Sequence, residues 1–151
     1  WDKILSLKGD SGPYLQYQYV RISSILAKGN FDNTKSLNEF QVLEQSSVWS
    51  KQNRKNIKPE LLKTDEEIRL IQLIMRFNEI IRCISQNNQT HNLANYLYEL
   101  ATEFSKFYEK HPVLQAKNKN LKSTRLYLCY IVSQILKNGL NLLGIDVPEK
   151  M

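Results

Sequence analysis

Three side chains near the start of the sequence have the types and spacing to do recognition chemistry: Tyr14, Tyr17 and Arg21. At about 100° per residue on a helix, they fall within about 60° of one another. Leu15, Tyr19, Ile22 and Leu26 fall on a different stripe of the same helix. One face can be buried while the other offers two aromatic rings and a guanidinium to something outside. Rings and guanidinium planes stack on flat groups, and the cation holds an anion beside them.

Further along, Lys117, Lys119, Lys122 and Arg125 could track the phosphates of a polyanion, as could the basic connector from Lys51 to Lys63. Other chemistry is poorly served. His91 and His111 stand alone, with no nucleophile spaced to use them as a base. Cys83 and Cys129 are isolated on apolar helix patterns, which makes no metal spacing and no disulfide framework. Both are expected to be buried, reduced thiols. Glu66, Glu67, Glu99 and Glu103 lie at helical spacings that caps and solvent faces explain. No phosphate-cradling glycine loop is present; Gly9-x-x-Gly12 is a helix-opening turn. No catalytic and no metal-binding residue is assigned.

The chain has 151 residues, one domain by size, with 42% hydrophobic and 24% charged residues, an ordinary globular balance. Its formal net charge of +6 favours a polyanionic partner such as nucleic acid. No apolar run approaches the roughly 18–20 residues of a membrane span. The first residue is Trp1, so the chain reads as a piece of a longer protein.

The elements that must position these residues are helices. A first helix is expected from Pro13 to Lys28, stopping near Gly29-Asn30. A weaker helix or helical loop follows from Asn33 to Trp49. Ser50 to Lys63 is a basic connector, mostly loop. Thr64-Asp65-Glu66-Glu67 forms a capping box, and the helix behind it places Leu70, Ile74, Phe77, Ile81 and Ile84 on one stripe. The next helix, Asn92 to Lys110, should bury Leu93, Leu97, Leu100, Phe104 and Phe107, with Tyr98 and Tyr108 on other faces. His111-Pro112 stops it. The last long helix, Leu121 to Asn138, has Leu121, Leu128, Val132 and Ile135 as core stripe and Gly139 as its end. The fold class is all-α, an antiparallel bundle of four to six helices.

The stretch G-D-S-G-P-Y-L-Q-Y-x-x-x-R-I-x-S-I-L, from Gly9 to Leu26, resembles the opening helix of the C-terminal anticodon-binding (DALR) domain of class I arginyl-tRNA synthetases. Tyr96-Leu97-Tyr98-Glu99-Leu100-Ala101, Phe104-x-x-Phe107-Tyr108 and Pro112-Val113-Leu114 resemble later blocks of that family, in the same order. So do Arg125-Leu126-x-Leu128 and the stretch from Leu136 to Met151, which closes in Pro148-Glu149-Lys150-Met151. The resemblance implies residues 1–8 as the end of an upstream connecting helix and residues 9–151 as an anticodon-binding bundle. It implies that Tyr14, Tyr17, Arg21, Tyr108 and Met151 face the anticodon of arginine tRNA. It also implies an upstream catalytic domain of the same chain, where ATP activates arginine, with no cofactor in this part. The setting would be cytoplasmic, with mitochondrial as the alternative. The chain departs from the family pattern at Gln18 and Tyr19, where a small residue and histidine are usual, at Ser105, and at Lys150 in place of arginine. The D-A-L-R letters are absent. A diverged copy serving as a protein-interaction scaffold, or a general RNA-binding module, is the alternative function.

Overall fold

The computed structural model describes residues 12–29, 56–87 and 89–148. The expected tail from Trp1 to Lys8, the weak helix from Asn33 to Trp49 and the candidate residue Met151 lie outside them. Among the described residues there are four α-helices: α1 (Gly12–Lys28), α2 (Asp65–Asn87), α3 (His91–Lys110) and α4 (Lys119–Leu142). A single 3-10 turn, Pro59–Leu61, precedes α2.

The order of contacts fixes the directions. Gln16 Nε2 donates to the Asp146 carbonyl at 2.7 Å, while Gly29, just past the other end of α1, lies against Leu126. α1 therefore runs antiparallel to α4. Gly139 of α4 meets Leu97 of α3, and Tyr96 of α3 donates its hydroxyl to the Leu73 carbonyl of α2 at 2.8 Å. Both of those neighbouring pairs are antiparallel as well. α1 and α3 consequently run parallel, side by side.

The core is a single cluster in which Leu97, Leu100, Phe104 and Phe107 of α3 meet Ile22 and Leu26 of α1, Leu70 of α2 and Val132, Leu136 and Leu140 of α4. All five residues expected on the α3 stripe are buried. On α2 only Leu70 of the expected stripe is fully buried, joined by Leu73, while Ile74, Phe77, Ile81 and Ile84 pack against the cluster from its edge. On α4 Leu128, Val132 and Ile135 are buried and Leu121 is half-buried.

Three expectations need correction. α4 does not end at Gly139; it continues to Leu142, and the left-handed stop is Gly144 at φ 73°. Gly139 instead permits close helix packing: a Cβ there would sit 2.5 Å from Leu97 Cδ2. At its other end α4 starts at Lys119, because Asn118 Oδ1 accepts from the Asn120 and Leu121 amides. Second, Cys83 is exposed; only Cys129 is buried, and burial pushes its thiol up to about 12. Third, the buried stripe of α1 is Leu15, Gln18, Ile22, Ile25 and Leu26. Tyr19 sits at its margin, half-buried.

Candidate RNA interface

On α1 the buried arc leaves Tyr14 and Arg21 at the margin facing α3, and Tyr17 farther out. Tyr17 is 50% exposed, and among the described residues its ring has no aromatic partner. Tyr14 is half-buried against the core, its ring centroid 5.4 Å from that of Tyr98 with the planes tilted by 48°. The Arg21 guanidinium lies over the Tyr108 ring at 5.1 Å. Tyr108 in turn stacks on the buried Phe104 at 6.1 Å and 18°. Among the described residues no carboxylate pairs with Arg21.

Four of the five expected anticodon-facing residues are therefore gathered along the α1–α3 seam. They are not equivalent. Tyr17 is presented to solvent, whereas Tyr14, Arg21 and Tyr108 are each held by a partner on the adjoining helix. Tyr98 is the partner that motif spacing did not single out. The helical spacing of Tyr98 and Tyr108 on α3 was available, but their pairing with α1 depends on how two distant segments dock.

Gln18 lies in the same seam, between Tyr14 and Arg21 along α1. It is buried, and among the described residues its Oε1 has no hydrogen-bond partner. The sequence marked Gln18 only as a departure from the family pattern and gave no signal of its burial.

The basic residues separate into two groups. Lys117 and Lys119 are exposed and Lys122 is half-buried at the start of α4. Lys58 joins them there, because its amide donates to Thr124 Oγ1 at 2.9 Å. Lys28 ends α1 at the same end of the bundle. Residues 51–55 of the basic connector lie outside the described part.

Arg125 does not belong with these cations. It is buried, and its Nε bonds to Glu67 Oε1 at 2.8 Å. Glu67 is fully buried and also takes the Lys63 and Thr64 amides on Oε2, at 2.9 and 3.0 Å. Burial alone would raise its pKa; the Thr64 amide and the Arg125 guanidinium outweigh that and hold the carboxyl below its usual range. The reach of Glu67 to the Thr64 amide is one half of the expected capping box, turned inward to serve the core; among the described residues the Thr64 hydroxyl makes no reciprocal bond. Arg125 thus spends its charge inside the fold, and a phosphate at the surface would find it already engaged.

Among the described residues no three His, Cys, Asp or Glu side chains come together to hold a metal. His111 is occupied with Glu66, at 3.1 Å, and with the Phe107 ring. No helix there is long and apolar enough to cross a membrane.

Known proteins resemble this chain in sequence and fold. The family model described as the DALR anticodon binding domain matches residues 15–151. The arginine–tRNA ligase of Wigglesworthia glossinidia brevipalpis is 38% identical over 151 residues, covering 100% of this chain and 23% of that protein. The arginyl-tRNA synthetase of Plasmodium falciparum superposes with a TM-score of 0.71 at 31% identity, over 99% of this chain and 23% of its own. That of Thermus thermophilus gives 0.73 at 29%, over 97% and 22%. The chain thus spans about a quarter of the length of the relatives it matches. With a family model matched over most of its length and arginyl-tRNA synthetases among the proteins it resembles, the chain belongs to the DALR anticodon binding domain family.

Proposed function

We propose that this chain reads the anticodon stem and loop of arginine tRNA for a cytoplasmic arginine–tRNA ligase, with Tyr17 as the ring on which an unpaired base stacks. Single-stranded loops are recognised by stacking splayed bases on aromatic or guanidinium planes while cations hold the phosphates. The observation that carries this reading is the half-exposed Tyr17 ring beside Arg21, which no carboxylate among the described residues neutralises. Tyr14 and Tyr108 flank it, Met151 is assigned to the same surface, and Lys117, Lys119 and Lys122 track the tRNA backbone. ATP and arginine would be handled by the remainder of the longer protein, and this part supplies orientation of the tRNA without chemistry of its own.

The test is equilibrium binding of arginine tRNA and of a non-cognate tRNA to the full-length protein across a salt series. The expected result is a cognate preference that Tyr17→Ala reduces about tenfold, within the roughly 1–3 kcal/mol that one stacked base contributes. Equal affinity for both tRNAs would instead make this a general RNA-binding module. Absence of tRNA binding would make it a scaffold that keeps only the family's shape.

A further inference from the structure

We propose that Tyr98 is a positioning residue for tRNA binding, holding the Tyr14 ring at the angle in which it meets the RNA. The inference rests on the anticodon-binding reading of α1.

Tyr14 sits in the first turn of α1, where the helix has no preceding turn to brace a side chain. Its ring needs another support, and α3 supplies it: the Tyr98 ring lies 5.4 Å away at a 48° tilt. That separation and tilt are those of an attractive aromatic pair, edge partly turned to face. Tyr98 is only half-buried, so it is not simply a core residue, but it stands behind Tyr14 on a helix whose neighbouring stripe is fully buried. Along the same seam Tyr108 holds Arg21 while resting on buried Phe104. Both α1 groups nearest α3 are therefore set by α3 aromatics. Tyr17, one turn out, has no such brace among the described residues.

This arrangement predicts a pattern of coupling. Residues in contact give non-additive effects, and separated ones add. Tyr98→Ala should weaken arginine tRNA binding by the full-length protein about fivefold, the scale on which losing one ring pair depopulates a set conformation. Tyr98→Phe, which keeps the ring, should stay within about twofold of the parent. In a Tyr14→Ala background Tyr98→Ala should cause no further loss, whereas in a Tyr17→Ala background its effect should appear in full. Circular dichroism melts of each variant set an assay temperature at which all are folded.

A Tyr98→Ala loss that persists undiminished on Tyr14→Ala would overturn the proposal, since Tyr98 would then act directly or through the fold at large. So would a Tyr98→Phe variant as weak as Tyr98→Ala, or a Tyr14→Ala variant that binds normally while Tyr17→Ala does not. If neither Tyr14→Ala nor Tyr17→Ala changes tRNA affinity, it is the anticodon-binding reading of this face that fails.

Discussion

Two arginines separate the proposed RNA-facing side of this bundle from its foundation. Arg125, at the α2–α4 side, is buried with its Nε on Glu67, and that carboxylate also closes two backbone amides. Arg21, at the α1–α3 side, is half-buried over a tyrosine ring, with no carboxylate partner among the described residues. A guanidinium beside a carboxylate is spent on holding the chain together. Over a ring, its in-plane N–H groups stay available to an incoming phosphate or base. The same residue type is thus committed to the fold in one place and left for a partner in the other.

The contrast can be broken by substituting each arginine with an apolar residue of similar length. Arg125→Met should cost about 3–5 kcal/mol, because it strands the buried Glu67 charge. For a chain of this size that is a fall in melting temperature of roughly 10 °C or more, readable by calorimetry. Adding Glu67→Leu should recover only part of the loss, since the Lys63 and Thr64 amides then lose their acceptor. Arg21→Met should cost only about 0.5–1 kcal/mol in the same melt, yet weaken arginine tRNA binding about tenfold. Comparable stability losses from the two substitutions would abolish the distinction.

A smaller effect sharpens the picture at α2, where Glu66 stands next to Glu67 but faces outward. Hydrogen bonds from Lys110, first, and from His111 hold its carboxyl down from the usual 4.5 to about 2. A depressed carboxylate contributes stability above its unfolded pKa and loses it as pH falls through the folded one. The difference in melting temperature between the parent and Glu66→Gln should therefore be constant above about pH 5 and shrink between 4.5 and 2. A difference that grew on acidification would contradict that sign.

The smallest perturbation is a thiol label. Cys83, on the outer part of α2, should react with an aromatic disulfide reagent in the native protein. Cys129, one turn beyond Arg125 and with a thiol pushed up to about 12 by burial, should react only on unfolding. Two fast thiols would show the foundation to be open.

What could be read in advance follows from how local each feature is. The α3 stripe from Leu93 to Phe107 was legible because a helix with one buried face writes its period into its own residues. Tyr17 was legible for the same reason, as the outermost member of the opposite face. The Glu67–Arg125 pair was not, because its partners are 58 positions apart and each has an innocent local explanation as a cap or a surface cation. Gly139 was misread as a stop because a glycine that ends a helix and one that admits Leu97 look alike in one dimension. Tyr98 could be placed off the buried stripe of α3 but not paired with Tyr14, because that pairing depends on which helix it stands beside.

The alternating directions of the helices carry one further consequence. Among the described residues, each end of the bundle collects two helix starts and two helix ends, so the partial charges of about half a unit at the termini of these four helices offset one another. The macrodipoles of these four described helices therefore give neither end a net pull on phosphate. Attraction of a nucleic acid must come from cationic side chains, and the slope of log affinity against log salt should count those contacts with little backbone contribution.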